Sequence, residues 1–301
     1  MPQLTRESDV AKLNIPKIGR VKVRNGDAPL VMVTAHDAPS ARVASAAGAD
    51  MILVGDSLAM VVLGYDNTLQ VTVNDMAYHT AAVARANPDA VIVGDMPWMS
   101  FHITPEETVR NAAKLIRAGA EAVKLEGGRK RIPMIKALIN AEIPVMGHIG
   151  LTPQSTHVFG GFKTQGREDE AARLLVAAAK GLASAKCFSL VLEGVPDVVG
   201  NMVTQAVDIP IIGIGAGKDT DGQVLVHHDL IGLENRFKPK FVRRYGTAFD
   251  DQVKAISNFA DDVRSGNFPG PDETYQAGDG LTGSIGLYGS QSVKDRKPTG
   301  K

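Results

Sequence analysis

Five short apolar runs in this 301-residue chain each end in a side chain that can move a proton or hold a cation. ILVGD closes on Asp56 with Ser57 next, and VIVGD closes on Asp95. AVKLE carries Lys124 and Glu126, IPVMGH closes on His148, and SLVLE closes on Glu193. With the runs side by side, four carboxylates, a lysine and an imidazole meet at one mouth. Such a group is costly to leave bare, because like charges in a partly buried site repel and each loses hydration. A hard divalent cation resolves the conflict. One or two carboxylates, waters and substrate oxygens are what Mg2+ accepts, whereas zinc more often recruits His or Cys. With one cysteine and no HExxH pattern, the chain does not read as a zinc hydrolase.

Two other strings invite different chemistry. Gly55-Asp56-Ser57-Leu58 spells the GDSL signature of an ester-hydrolase family whose serine is a nucleophile. That serine needs a base from a late Asp-x-x-His, and no aspartate here has a histidine three residues on. Gly213-Ile214-Gly215-Ala216-Gly217-Lys218 resembles a phosphate cradle, but Asp219 follows the lysine and Ile212 breaks the Walker A spacing. It reads equally as a tight turn or as a place where a ligand approaches the backbone. The loop FGGFKTQGRED (159–169) joins glycines to Lys163 and Arg167, and reads either as a lid over an anionic substrate or as a plain surface loop. The pair His227–His228 carries no ligand spacing.

The elements that must position these residues follow from periodicity. Apolar runs at 29–36, 50–56, 90–96, 122–127, 143–150, 188–194 and 209–217 are rich in consecutive Val, Ile and Leu, as strands buried on both faces are. HDLIGL (228–233) is an eighth, weaker candidate. Helical patterns at 39–48, 76–87, 104–119 and 168–185 lie between them. Thr104, Pro105 and Glu107 read as an N-cap, a proline at the first helical position and a capping-box acid. Two helices end in Ala-Gly-Ala-acid, at 47–50 and 118–121, as repeated units with glycine just past the helix end. This repetition favours an α/β fold of the (β/α)8 TIM-barrel kind over an open doubly wound sheet, and in a barrel the active site forms at the C-terminal ends of the strands. The expected organisation is an N-terminal extension over 1–27, a catalytic barrel over 28–271 and a polar, Gly-rich, flexible tail over 272–301. The extension reads as a cover for the barrel bottom or for a neighbouring subunit.

Composition sets outer bounds. Thirty-three Lys and Arg balance 33 Asp and Glu, so the basic stripe of a nucleic-acid binder is not expected. Cys187 has no partner in the chain, which excludes an intramolecular disulfide and points to a reducing compartment. No run approaches the roughly 20 apolar residues of a membrane helix. The N-terminal stretch carries Glu7 and Asp9 and has no apolar core of a signal peptide, so the expected location is cytoplasmic and no membrane partner is expected.

The strings VGDSLAMVVLGYDNTLQVTVNDMAYHT, GDMPWMS, VKLEGG, PVMGHIGLTPQS, FGGFKTQGR, LVLEGVPDVV and IPIIGIGAG together resemble the ketopantoate hydroxymethyltransferase family over most of residues 28–271. The resemblance implies a barrel of the phosphoenolpyruvate mutase/isocitrate lyase type. It also implies transfer of a hydroxymethyl group from 5,10-methylenetetrahydrofolate to 3-methyl-2-oxobutanoate, giving 2-dehydropantoate for pantothenate and coenzyme A synthesis. Carried over by position, Asp56, Asp95 and Glu126 form an Mg2+ site, in part through waters, with one ion per subunit. Asp56, Ser57, Asp95 and Lys124 contact the 2-oxo acid, His148 lines its pocket, and Glu193 is the base. The family implies a homo-oligomer, a dimer of pentamers. Ala59 departs from the family pattern, which has glycine there, and the two termini are unmatched. Rival readings are a C–C lyase or mutase of the same barrel type acting on another 2-oxo acid, a metal-free reaction through a Schiff base on Lys124, and a catalytically silent binding barrel.

Overall fold

The computed structural model describes residues 13–161 and 163–275. Eight parallel strands close into a barrel in chain order. They are β1 (Leu30–Thr34), β2 (Met51–Val54), β3 (Val91–Asp95), β4 (Ala122–Glu126), β5 (Val145–Gly150), β6 (Ser189–Glu193), β7 (Ile211–Ile214) and β8 (Gly222–Leu225). Closure is made by β8 lying against β1, with Gly222 opposite Leu30 and Leu225 opposite Val33.

Strand side chains alternate between two cores. Met32, Met51, Val93, Ala122, Met146 and Val191 fill the barrel, while Ile52, Ile92, Val123, Leu125, Leu190 and Leu192 face the surrounding helices. The same alternation puts Lys124 and Glu126 on the inner face with Ala122, and His148 on it with Met146.

Helices Ala38–Ala46, Val73–Arg85, Pro105–Arg117, Ile132–Asn140, Asp169–Ser184 and Asp197–Gln205 pack on the outside. The Thr104 hydroxyl accepts from the Glu107 N–H at 3.1 Å with Pro105 following, so the N-cap and the proline match the sequence. Among the described residues the Glu107 carboxylate does not return a bond to complete a capping box. The repeated Ala-Gly-Ala-acid corners also match: Gly48 and Gly119 take left-handed φ values of 80° and 110°. Their acids serve the sheet, since Asp50 accepts from Val31 N–H at 2.7 Å and Glu121 from Ile92 N–H at 3.3 Å.

The eighth strand differs from expectation. HDLIGL is not a strand: His227–Leu230 is a helical turn, and the closing strand is the preceding GQVL. The reason is steric, because a Cβ on Gly222 would lie 2.6 Å from Leu30 O, so only glycine lets β8 approach β1 and no apolar run marks it.

Below the barrel, the described part of the N-terminal extension covers the bottom. Ile18 is fully buried in the inner core, with Leu13, Ile15 and Val21 packed against it. Lys22 is buried too, and its ammonium binds Asp221 at 2.5 Å and Thr204 O at 3.0 Å. Asp221 also accepts from Val23 N–H and Ile211 N–H, at 3.0 and 2.9 Å.

The described chain forms two compact units, divided after Thr247. Residues 248–271, grouped with the barrel by their sequence, belong to the second, which contains the helix Ala248–Ser265 and a turn at Pro271–Glu273. Most of the tail, 276–301, and the first 12 residues lie outside the described residues. Among the described residues no helix is long and apolar enough to cross a membrane.

Candidate active site

Sheet register brings the strand-end residues together. Asp95 at the end of β3 stands opposite Lys124 of β4, Glu126 stands opposite His148 of β5, and Gly150 stands opposite Glu193 of β6. Asp56 follows β2, and its N–H donates to Asp95 Oδ2 at 3.2 Å. Asp56, Asp95, Lys124, Glu126 and His148 are all buried. All five line one cavity of about 840 Å3 together with Ser57 and Glu193.

Lys124 Nζ donates to both oxygens of Asp95, at 2.7 and 2.9 Å, and lies 3.9 Å from Glu126 Oε1. His148 is set between two acids, with Nδ1 3.4 Å from Glu126 Oε1 and Nε2 3.3 Å from Glu193 Oε2. Neither contact has hydrogen-bond alignment, so both imidazole nitrogens and Glu126 Oε1 are buried without a hydrogen-bond partner among the described residues. Gly150 permits this approach of β5 to β6: at φ 94°, a Cβ there would sit 2.2 Å from Glu193 O.

Burial disfavours every charge in the cluster, and the neighbours decide which groups keep theirs. Burial works against the Lys124 ammonium, but Asp95, Glu126 and Asp56 outweigh it and raise its pKa. Burial and Lys124 also oppose a charge on His148, yet Glu126 and Glu193 lift its pKa to about 9. Burial would raise Glu126; His148, Lys124 and the Gln154 N–H reverse this and hold it low. Asp95 is raised by burial despite Lys124. Asp56 is raised well above the carboxylate range, first by burial and then by Asp95 and Glu126.

Four carboxyl groups thus share one mouth with Lys124 and His148, and burial with mutual repulsion raises Asp56 and Asp95. That crowding of acids and the unpartnered Glu126 oxygen fit a divalent cation. Among the described residues, no three Asp, Glu, His or Cys side chains form a ready-made cage. The donor set therefore fits a hard ion that keeps several waters and takes only one or two carboxylates directly.

Sequence reasoning missed Gln154. It sits in the turn Pro153–Ser155 after β5, is buried, and ties two of the acids together. Its side-chain amide donates to Asp56 Oδ2 at 2.9 Å and to Met96 O at 3.0 Å, while its N–H donates to Glu126 Oε2 at 3.0 Å. The only sequence signal was its place in the loop just beyond His148.

The other motifs sort themselves by position. Ser57, the serine of the GDSL string, lines the same cavity as the acids and makes no capping bond to the short helix it precedes. In the glycine-rich turn after β7, Gly215 takes φ 63°, and a Cβ there would lie 2.9 Å from the Phe241 ring, so its role includes close packing. In the loop 159–169, Thr164 lines the cavity and Gln165 N–H binds Gly194 O at 2.8 Å, whereas Lys163 and Arg167 line neither cavity. His228 packs beside His36, ring centroids 5.7 Å apart, away from the cluster.

Comparison with known proteins gives these features a context. The model of the ketopantoate hydroxymethyltransferase family matches residues 12–271. The 3-methyl-2-oxobutanoate hydroxymethyltransferase of Syntrophobacter fumaroxidans is 50% identical over 265 residues, covering 88% of this chain and 93% of that one. That of Ignicoccus hospitalis is 54% identical over 249 residues, covering 83% and 94%. Among solved structures, a 2,3-dimethylmalate lyase of the PEP mutase/isocitrate lyase superfamily superposes with TM-score 0.54 at 17% identity, covering 87% of this chain and 91% of that one. A phosphonopyruvate hydrolase solved with oxalate and Mg2+ superposes with TM-score 0.56 at 13% identity, covering 88% and 92%. The last two share the barrel alone. The match along nearly the whole barrel, together with the residues gathered at its mouth, leads to one conclusion: the chain belongs to the ketopantoate hydroxymethyltransferase family.

Proposed function

We infer that this chain hydroxymethylates 3-methyl-2-oxobutanoate to 2-dehydropantoate, taking the one-carbon unit from 5,10-methylenetetrahydrofolate. Family membership supports the reaction. The observation that carries its mechanism is the separation of roles at the barrel mouth: Asp56, Asp95 and Glu126 cluster around Lys124, while Glu193 stands apart on β6 beside His148.

In this reading Asp56, Asp95 and Glu126 would hold Mg2+, in part through water, and Gln154 keeps Asp56 and Glu126 in place. Bound Mg2+ supplies Lewis-acid charge to the oxygens of the 2-oxo acid. Lys124 adds a fixed cation where negative charge develops on the keto oxygen. Ser57, with a free hydroxyl at the same mouth, binds the acid's polar end. Glu193 removes the proton at C3, a role worth about 10²–10⁴-fold in rate. His148 lies 3.3 Å from that carboxylate and steadies it.

The Schiff-base alternative is disfavoured, since a lysine held protonated by three acids lacks the free electron pair of a nucleophile. The lyase or mutase alternative has no support from the relatives. The homo-oligomer reading, a dimer of pentamers, rests on family membership. Buried, unpaired Cys187 supports the cytoplasm as the location.

The test is exchange of the substrate C3 proton with deuterated water, followed by NMR. Glu193→Gln is expected to retain Mg2+ and 2-oxo-acid binding and to lose exchange. Exchange at the unmutated rate would refute the base assignment.

A further inference from the structure

The cavity is far larger than the acid. A five-carbon 2-oxo acid seated between Lys124 and Glu193 leaves most of the 840 Å3 free, and a chamber of that size suits a drug-sized molecule. Much of the remaining wall comes from two segments. Met60, Val61 and Tyr65 follow β2, and Asp229, Phe237 and Phe241 follow β8. Arg236 joins them: its guanidinium donates to Met60 O at 2.9 Å while Glu234 grips it at 2.7 Å.

On this wall Asp229 is a carboxylate without a hydrogen-bond partner among the described residues. It is half-buried, and among the described residues no donor reaches its carboxylate. Burial and the nearby Glu234 push its carboxyl up to about 6, with the Arg244 charge acting the other way. A carboxylate that lines this aromatic wall and is reached by no donor is matched by two donors held side by side.

We propose that Asp229 receives the N3–H and 2-amino edge of the reduced pterin of the one-carbon donor, with the ring seated against Phe241. This rests on the reading that a reduced folate is that donor. The chemistry then places the pterin in this cavity, since the transferred carbon must come within bonding distance of C3 beside Glu193. The second hollow, of about 410 Å3 between Trp98, His102, Arg131 and Phe159, meets the first only at Glu126. Phe237 and Tyr65 offer further aromatic surface for the ring and the benzoyl group. Lys240 lines the cavity, is exposed and forms no ion pair among the described residues, so it suits the anionic glutamate tail.

The experiment measures equilibrium binding of tetrahydrofolate, and of its 2-desamino-2-methyl analogue, to the full chain with Mg2+. Wild type is expected to bind the analogue about tenfold more weakly than tetrahydrofolate, a loss that needs no mutation to observe. Asp229→Asn is expected to weaken tetrahydrofolate about tenfold and the analogue, which keeps N3–H but lacks the 2-amino donor, by no more than about threefold. Equal losses for the two ligands, or tetrahydrofolate binding that the variant does not weaken, overturn the assignment of Asp229 alone. Failure of wild type to bind tetrahydrofolate at all overturns the folate reading, and this inference with it.

Discussion

Gln154 binds Asp56 and Glu126 at once, its side-chain amide on one carboxylate and its backbone N–H on the other. Two acids from strands that are not neighbours are thereby fixed by a residue from a third loop. Gln154→Ala keeps the backbone bond and frees Asp56. The expected loss is about 10–100-fold in Mg2+ affinity or in kcat/KM, as for other residues that orient metal ligands. Activity titrated against Mg2+ concentration measures it, and a curve superposable on wild type contradicts the role.

Lys124 compensates Asp95 in a buried place, so its removal strands a charge. Lys124→Met is expected to cost about 3–5 kcal/mol of stability in metal-free urea unfolding, less with Mg2+ present, and to abolish turnover. Borohydride added with the 2-oxo acid is expected to leave Lys124 unmodified by mass spectrometry. A reduced adduct there would restore the Schiff-base mechanism.

At the opposite end of the barrel, Lys22→Met leaves Asp221 without its ammonium. A similar loss of about 3–5 kcal/mol is expected, with kcat/KM within about twofold of wild type, because the pair is structural. Urea unfolding and steady-state kinetics on one preparation separate the two effects.

Cys187 gives the pH dependence a definite sign. Burial pushes its thiol from 9.0 up to about 12, so the native thiol stays protonated where the unfolded thiol ionises. Its contribution to stability is complete below about pH 9 and is lost as pH rises towards about 12. At pH 8 a disulfide reagent is expected to label unfolded chain rapidly and native chain only at the rate of opening. Fast stoichiometric labelling of native protein would contradict this.

Seven strands were legible because each is a compact run of Val, Ile and Leu, and the acids that end them were legible for the same reason. β8 was not, since its first residue must be glycine to clear Leu30 O and Gln223 is exposed. The pairing of Asp95 with Lys124 depends on register, which no single strand encodes. Gln154 was hidden because a polar residue in a turn is ordinary until the fold buries it. Asp229 lay in a string that resembled a strand, so its place in the cavity wall was out of reach of periodicity.

The ion pair between Lys22 and Asp221 joins residues 199 positions apart, and β1 finds its second neighbour only when β8 exists. A nascent chain therefore carries its N-terminal segment unpaired until most of the barrel has left the ribosome. Such long-range closure makes folding slow and commits it late, and it exposes the edge of β1 to wrong partners meanwhile. The same segment that seals the finished barrel is the one that most needs protection while the protein is being made.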